Sequence, residues 1–343
     1  MPPGRAIASK IGSMRRVARL GGRWAVSPGT SLRLATVSLA GLLLIIPSGA
    51  LVRLTDSGLG CPDWPGCHGA VVPPLSGHAW IEYSNRVFSG LVVVMAVVAW
   101  LGARLAPGAP RAMRRWAAVP ALAGLAQGPL GGVTVVFDLH PLLVASHFLL
   151  SMLALAGGTI FTLHARDYVH GRTRGVEAGR AGLAAVTLAA VGGVVVTGVL
   201  VTAAGPHSGD PAVIRRFGNL GDAAALHVRL VIGFVILAAV LGVWLLRRRP
   251  ADPLTLRLAA AFLPVLALQV GLGEYQYHHR LPWGVVLGHV TVAGVVWSLG
   301  VAVAWLSSRP LRSALTDSAY DGRMSEVLLG RPEATVSRQT SST

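Results

Sequence analysis

The sequence predicts an all-α integral membrane protein with eight transmembrane helices, arranged as two copies of a four-helix unit. Hydrophobic residues make up 53% of the 343 residues, and charged residues only 13%. Eight apolar runs reach the ~20 residues that a helix needs to cross the hydrocarbon core, where no water satisfies backbone groups. Polar landmarks within these runs recur at one fixed offset, which indicates an internal duplication.

The eight runs follow one another with short connections, which leaves no room for a large soluble domain. The predicted helices cover roughly 33–52, 83–104, 115–136, 142–164, 181–203, 223–246, 256–275 and 284–306. We divide the chain into a basic N-terminal tail (1–32), a first four-helix bundle (33–166), a linker (167–180), a second four-helix bundle (181–306) and a polar tail predicted to be disordered (307–343).

The net charge of +16 reports membrane topology and does not point to nucleic acid as a partner. Arginines are concentrated in the N-terminal tail and in the loops after the second, fourth and sixth helices, whereas the alternate loops carry most of the aspartates. This positive-inside pattern predicts cytoplasmic termini. The first apolar run is too long for the core of a cleaved signal peptide, so we interpret it as a transmembrane helix.

Cys61 and Cys67 are the only cysteines, and both lie in the segment CPDWPGC between the first two helices. The charge pattern places this loop on the extracytoplasmic side, where two thiols this close favour a disulfide over a zinc site. The five residues between them do not match a c-type haem attachment motif. A bridge that stiffens the loop and a redox-active bridge both remain open.

Two pairs of polar residues share the same internal spacing. Asn85 and His147 are 62 residues apart, as are His227 and His289, and the second pair follows the first at an offset of 142. The same offset relates Gln127 to Gln269, Leu130 to Leu272 and Gly131 to Gly273. The four pair members lie at similar depth near the outer ends of the even-numbered helices. This arrangement predicts two cofactor sites between helices.

Histidine in such a pair suits haem, because neutral imidazole donates a lone pair to iron. His227 and His289 predict a six-coordinate haem b that passes electrons. In the first copy His147 pairs with Asn85, whose amide is a poor iron ligand, so one face of that haem is predicted to stay open. One half then resembles an electron-transfer site and the other a site of chemistry.

Charged residues accompany the first pair. Glu82 stands three residues before Asn85 on the same helix face, either as a proton acceptor or charge stabiliser beside the first haem, or as an ion-pair partner of Arg86 or Arg53. Arg53, Arg86 and Arg229 lie near outer helix ends, where they reach either haem propionates or lipid phosphates. We interpret Gln127 and Gln269 as inter-helix hydrogen-bonding residues, and His140 as a capping or turn residue at a helix start.

Several segments together give the chain a family resemblance. They are SGALVRLTDSGLGCPDWPGC at the end of the first helix, IEYSNR at the start of the second, HPLLVASHFLLSM on the fourth, and the later His227 and His289. The chain resembles the haem A synthases, membrane enzymes that complete haem A for terminal oxidases. The resemblance spans roughly residues 33 to 306.

The resemblance implies two bundles related by a pseudo-twofold axis. The C-terminal bundle is expected to hold haem b between His227 and His289, and the N-terminal bundle to take haem O as substrate, with Glu82 catalytic and His147 on the substrate iron. A Cys61–Cys67 disulfide is also implied. The implied reaction oxidises the C8 methyl group of haem O to a formyl group by two hydroxylations and loss of water.

The departure from the family pattern is Asn85, where histidine is expected. Either His147 suffices alone or the first site is impaired, and the presence of Glu82, Arg86, His147 and both cysteines favours the former. Haem O synthase and cytochrome oxidase assembly proteins are the partners that the resemblance implies, with an unidentified redox partner. Rival functions are a non-catalytic b-type cytochrome and a haem carrier or assembly factor; a haem O synthase is disfavoured because no paired Asp-rich motif is found.

Overall fold

The structure is a computed structural model that describes residues 25–213, 216–247 and 252–311, and these residues contain eight helices long and apolar enough to cross a membrane. The helices are α1 (Pro28–Leu54), α2 (Gly77–Leu105), α3 (Arg111–Val136), α4 (Pro141–Val169), α5 (Ala178–Ala204), α6 (Leu220–Arg247), α7 (Pro253–His278) and α8 (Trp283–Ser308). The predicted all-helical membrane fold is confirmed. The tails before residue 25 and after residue 311 lie outside the described residues, so the predicted disorder of the C-terminal tail stays a prediction.

Every predicted apolar run is a helix, but the helices are longer than the runs. Residues 28–32, which were assigned to the N-terminal tail, form the first turn of α1, and α2 starts at Gly77 rather than near residue 83. Apolarity marks only the part of a helix in the hydrocarbon layer, whereas backbone hydrogen bonding continues into polar turns at the interface. The N-terminal boundary and the start of α2 were therefore predicted too late.

Caps and prolines fix several helix starts. The Ser27 hydroxyl accepts a hydrogen bond from the Thr30 amide at 3.1 Å, and Pro28 occupies the first turn, where a missing N–H costs nothing. The predicted cap at His140 is confirmed, since its Nδ1 accepts from the Leu142 amide at 3.4 Å. These capped helices begin where proline sets the first turn.

The helices form two groups of four. In the first half α1 packs on α2, α2 on α3, α3 on α4, and α4 closes the ring on α1; in the second half α5 packs on α6, α7 on α8, and α5 on α8. The halves meet where α1 and α4 contact α8, and where α4 contacts α5. One apolar cluster runs through this junction and joins Leu42 and Leu155 of the first half to Trp297 of the second.

The turns before α4 and α8 share an unusual backbone conformation. Asp138 and Leu139 have φ angles of 50° and 52°, and Arg280 and Leu281, at the same offset of 142, have φ angles of 60° and 57°. Two successive left-handed residues other than glycine are uncommon. The turn conformation is thus duplicated together with the sequence, while the twofold axis itself stays a prediction.

Candidate functional site

The four pair positions occupy matching places on the even-numbered helices. Asn85, His147, His227 and His289 lie eight, six, seven and six residues after the first residue of α2, α4, α6 and α8. At ~1.5 Å per residue this is about 9 to 12 Å along each helix. All four are half-buried. Because the helices begin earlier than the sequence predicts, these four residues lie further from the starts of their helices than predicted. All four lie at a similar distance from those starts.

A glycine of the neighbouring helix supports each histidine of α4 and α8. A Cβ added at Gly131 would lie 3.4 Å from Cε1 of His147, and one at Gly273 would lie 3.1 Å from Cε1 of His289. Each ring therefore rests against helix backbone that has no side chain in the way. The repeated glycines at offset 142 have this packing role, which the sequence pattern alone did not show.

His227 is supported by two residues of α5. A Cβ at Gly198 would lie 3.2 Å from Cε1 of His227, and the Thr197 hydroxyl is 3.1 Å from Nδ1 of the same ring. A hydrogen bond to one ring nitrogen orients an imidazole and leaves the other nitrogen for a metal. The residue pair of α5 thus fixes both the position and the orientation of His227.

The two glutamines bridge helices, as predicted, but in different ways. Gln127 donates to the carbonyl oxygen of His147 at 2.9 Å and to the Ser151 hydroxyl at 2.6 Å. The amide nitrogen of Gln269 lies 3.1 Å from Nε2 of His289. The first glutamine therefore holds the backbone below its histidine, and the second contacts the ring itself.

The histidines of α4 and α8 each retain a buried ring nitrogen without a hydrogen-bond partner among the described residues, namely Nδ1 of His147 and Nδ1 of His289. A buried polar atom left unpaired costs about 1–3 kcal/mol. Neutral imidazoles in an apolar helix layer are the donor set that haem iron takes. The residue types therefore fit haem as a bound group, provided that the Gln269 amide leaves Nε2 of His289.

Glu82 is buried, with 5% of its surface exposed. Its carboxylate accepts a hydrogen bond from Arg86 Nη2 at 2.6 Å and another from the Cys61 amide at 2.7 Å. Of the two predicted ion-pair partners, Arg86 is the one in contact; Arg53 donates instead to the carbonyl oxygen of Thr202 at 2.9 Å. Glu82 thus joins α2 to the loop that precedes it.

Arg86 fastens the same loop through its backbone. Nη1 donates to the carbonyl oxygens of Asp63 and Gly66 at 2.9 and 2.7 Å, and Nη2 donates to the carbonyl oxygen of Cys61 at 3.0 Å. With the bond to Glu82, four of the five guanidinium hydrogens are used. A propionate contact of Arg86 would have only Nε left. Of the other two candidates, Arg229 is exposed on α6 and Arg53 donates to the carbonyl oxygen of Thr202.

The predicted disulfide between Cys61 and Cys67 is confirmed, and both sulfurs are buried. Within the loop the Asp63 carboxylate accepts hydrogen bonds from the amides of Gly69 at 2.8 Å and His68 at 2.5 Å. The bond from Gly69, together with that from His68, lowers the pKa of Asp63. The loop is thus closed by one covalent bond and one carboxylate.

The disulfide loop lies against the helices of the first half. A Cβ at Gly60 would come within 2.5 Å of the carbonyl oxygen of His78, and one at Gly132 within 2.8 Å of the Trp64 ring. Gly132 directly follows Gly131, which supports His147. The glycines of the SGLGC segment and of α3 therefore permit the loop to pack closely beside the first pair.

The second half lacks both the carboxylate and this loop. The position equivalent to Glu82 at the offset of 142 is Ala224. The connection between α1 and α2 has 22 residues, whereas the one between α5 and α6 has 15. The two halves share the support of their histidines and differ in the acidic residue and in the covering loop.

These features define a class: an eight-helix membrane protein with two duplicated half-sites suited to haem. A family model described as cytochrome oxidase assembly protein (COX15-CtaA) matches residues 32–79 and 75–301, and the chain belongs to this family. The match covers all eight helices except the first residues of α1 and the last residues of α8.

Similar proteins carry the name heme A synthase. The chain is 28% identical to a heme A synthase of Shewanella oneidensis over 308 residues, covering 75% of this chain and 90% of the relative. It is 33% identical to that of Bacillus licheniformis over 133 residues, and 35% identical to that of Shouchella clausii over 136 residues. These two matches span 38% of this chain and 43% and 44% of the relatives' lengths, less than half of each protein.

Proposed function

We propose that the protein is a haem A synthase, an oxidoreductase that converts the C8 methyl group of haem O to a formyl group. The observation that carries this proposal is the asymmetry of the half-sites, since Glu82 stands beside the first pair and alanine takes its place in the second. A carboxylate beside one pair only is what we expect if that pair alone performs chemistry. The family membership and the named relatives support the same conclusion.

In the first bundle, residues 33–166, His147 binds the iron of the substrate. Its ring is held by Gly131 and its helix backbone by Gln127, so the imidazole is positioned before the substrate arrives. Glu82 is the catalytic carboxylate. Its two oxygens accept one hydrogen bond each, and a carboxylate has further lone pairs with which to take a proton.

In the second bundle, residues 181–306, His227 and His289 would hold haem b. Haem b would supply one-electron transfer there. Thr197 and Gly198 orient His227, and Gly273 supports His289. These residues keep both imidazoles fixed while the charge on the bound group changes.

The reaction requires four electrons to leave the methyl carbon. With water as the source of the inserted oxygen, each hydroxylation removes two electrons and two protons, first to give the alcohol and then the geminal diol, and loss of water from the diol gives the formyl group. The net change is R–CH3 + H2O to R–CHO with four protons and four electrons released, and we assign Glu82 as the acceptor of these protons. A general base of this kind contributes about 10²–10⁴-fold to a rate.

Membrane topology and partners complete the proposal. The arginine-rich loops support a topology in a bacterial plasma membrane with both termini on the cytoplasmic side and the Cys61–Cys67 loop outside. The substrate is supplied by a haem O synthase and the product goes to cytochrome oxidase assembly. A separate redox partner takes the electrons.

The test is to identify the haem in bacterial membranes that contain this chain and a haem O synthase, by chromatography and mass. We expect haem A or its hydroxylated precursor with the natural chain, and neither with Glu82→Gln. Glu274→Gln, which changes an exposed carboxylate of α7, is the matched control and keeps the product. Haem O and haem B alone, with the natural chain correctly folded, would refute the proposal.

A further inference from the structure

The support for Asn85 repeats the support for His227. Ser48 of α1 donates to Oδ1 of Asn85 at 2.9 Å, as Thr197 of α5 contacts the ring of His227. The residues that follow are Gly49 and Gly198. The two dipeptides are related by an offset of 149, so α1 presents to Asn85 the same hydroxyl and glycine that α5 presents to His227.

The difference between the two supports is the space in front of the glycine. A Cβ at Gly198 would meet the His227 ring at 3.2 Å, whereas a Cβ at Gly49 would meet nothing within 4 Å. Asparagine ends where an imidazole ring would continue. The first half therefore keeps a support shaped for histidine, with the ring absent.

A cleft lies beside Asn85 between α1 and α2. It is open to the outside of the helices, has a volume of about 400 Å³, and is lined in part by Ser48, Asn85, Leu51, Trp80 and Phe88. A water molecule accounts for about 30 Å³ of liquid. The space therefore admits a molecule larger than water beside Asn85.

We infer that Ser48, Gly49 and Asn85 form a binding site for a small neutral ligand of imidazole size, which takes the place of the missing histidine ring at the substrate haem. This inference rests on the proposed function, because it requires haem in the first bundle. The lining has no charged side chain, which disfavours an anion. An imidazole bound through one nitrogen keeps one N–H to donate, and Oδ1 of Asn85, which accepts from Ser48, has a second lone pair to accept it.

The probe is imidazole itself, added to purified protein loaded with both haems. We expect about half of the haem to change from a high-spin to a low-spin spectrum, since His227 and His289 already fill both positions on the other. Asn85→His fills the site from within. It should make the first haem low-spin without the probe and weaken the imidazole response at least tenfold.

A substitution at Gly49 tests whether this glycine would support a histidine ring at position 85, as Gly198 supports His227. In the variant Asn85→His with Gly49→Ala, the added Cβ meets the new ring as it would meet His227 at Gly198, so the low-spin signal should be lost and the imidazole response regained. Gly90→Ala, whose Cβ would also meet nothing within 4 Å, is the control and should load both haems like the parent.

The outcomes separate the two proposals. If the first bundle binds haem through His147 and the natural chain shows no imidazole response, the ligand site is refuted and the haem A synthase proposal stands. An equal response from Asn85→His would refute it as well. If no second haem binds under any loading condition, both proposals fail together.

Discussion

At the residue scale, the site is built from small residues as much as from ligands. Three histidines rest on glycines of neighbouring helices, and the remaining position, Asn85, faces a glycine with open space before it. A ring packed on glycine cannot shift without losing contact with the backbone, so its direction is set by the helix. The identity of a single residue, asparagine or histidine, then decides how much of the site is filled.

Glu82 holds the loop, and the chemical role proposed for it can be tested separately. Glu82→Gln keeps an oxygen to accept from the Cys61 amide, and we expect it to lower haem A formation by about 100-fold or more while the loop stays closed. Glu82→Ala leaves Arg86 and the Cys61 amide buried without their partner, at a cost of about 3–5 kcal/mol.

The rate at which a thiol reductant opens the Cys61–Cys67 disulfide measures the second role. It should rise clearly in Glu82→Ala and only slightly in Glu82→Gln. Equal reduction rates in the two variants would show that Glu82 does not hold the loop.

Asp63 makes the disulfide loop sensitive to acid. Hydrogen bonds from Gly69 and His68 lower the pKa of Asp63 in the folded protein. Its stabilisation of the loop is therefore complete at a pH above the ordinary aspartate pKa of about 3.9, and it is lost as the pH falls through the lowered pKa. Amide hydrogen exchange of His68 and Gly69 should therefore stay protected from pH 8 to pH 5 and lose protection in more acid solution. Asp63→Asn should reduce protection at every pH; protection lost between pH 8 and pH 6 in the natural chain would contradict this assignment.

At the element scale, hydropathy predicted all eight helices but not their ends. Six residues at the start of α2 were missed because they are polar enough to resemble a loop. The offset of 142 revealed the duplication of α2 to α4 in α6 to α8. Ser48 and Gly49 escaped this comparison, since the loop after α1 is seven residues longer than the loop after α5, and this moves their offset to 149.

The glycines of α7 allow a matched test of the ring support. A Cβ at Gly273 would lie 3.1 Å from the His289 ring, closer than an ordinary carbon contact, whereas one at Gly271 would meet nothing within 4 Å. We expect Gly273→Ala to lower the haem b content or shift its low-spin signals, and Gly271→Ala to leave both unchanged. Identical spectra for the two variants would remove the supporting role of Gly273.

At the scale of the whole molecule, a buried arginine of the linker joins the two halves. Arg174 donates to Asp167 of α4 at 2.6 Å, to Asp252 at the start of α7 at 2.7 Å, and to the carbonyl oxygen of Arg309 after α8 at 3.2 Å. Burial lowers the pKa of Arg174, but its two aspartates outweigh this effect and raise it. The sequence predicted a linker here and gave no sign of this junction, because its partners are distant along the chain.

Arg174→Gln should destabilise the protein by about 3–5 kcal/mol, since two buried carboxylates lose their cation. Arg180→Gln, which removes the more exposed pair with Glu177, should cost no more than about 1 kcal/mol. Thermal unfolding in detergent at pH 7 measures the difference.

The effect of Arg174→Gln also depends on pH. Burial by itself raises the pKa of Asp252. The hydrogen bonds from Arg174 and the Leu254 amide lower the pKa by more than burial raises it, so the pKa lies below its ordinary value. The Arg174–Asp252 ion pair therefore stabilises the fold fully at a pH above the ordinary pKa of aspartate. This stabilisation is lost as the pH falls through the lowered pKa of Asp252 in the folded protein. The gap between the parent and Arg174→Gln should therefore shrink in acid; a gap that widened would contradict the assigned contacts.

The central claim is a division of labour, with substrate haem in the first bundle and haem b in the second. The most direct measurement is the amount of each haem type bound by purified His147→Ala, His227→Ala and His289→Ala, made with a haem O synthase present. We predict that His147→Ala loses haem O and keeps haem b, and that the other two lose haem b and keep haem O. Loss of haem b from His147→Ala alone, or equal loss of both haems from every variant, would contradict the account.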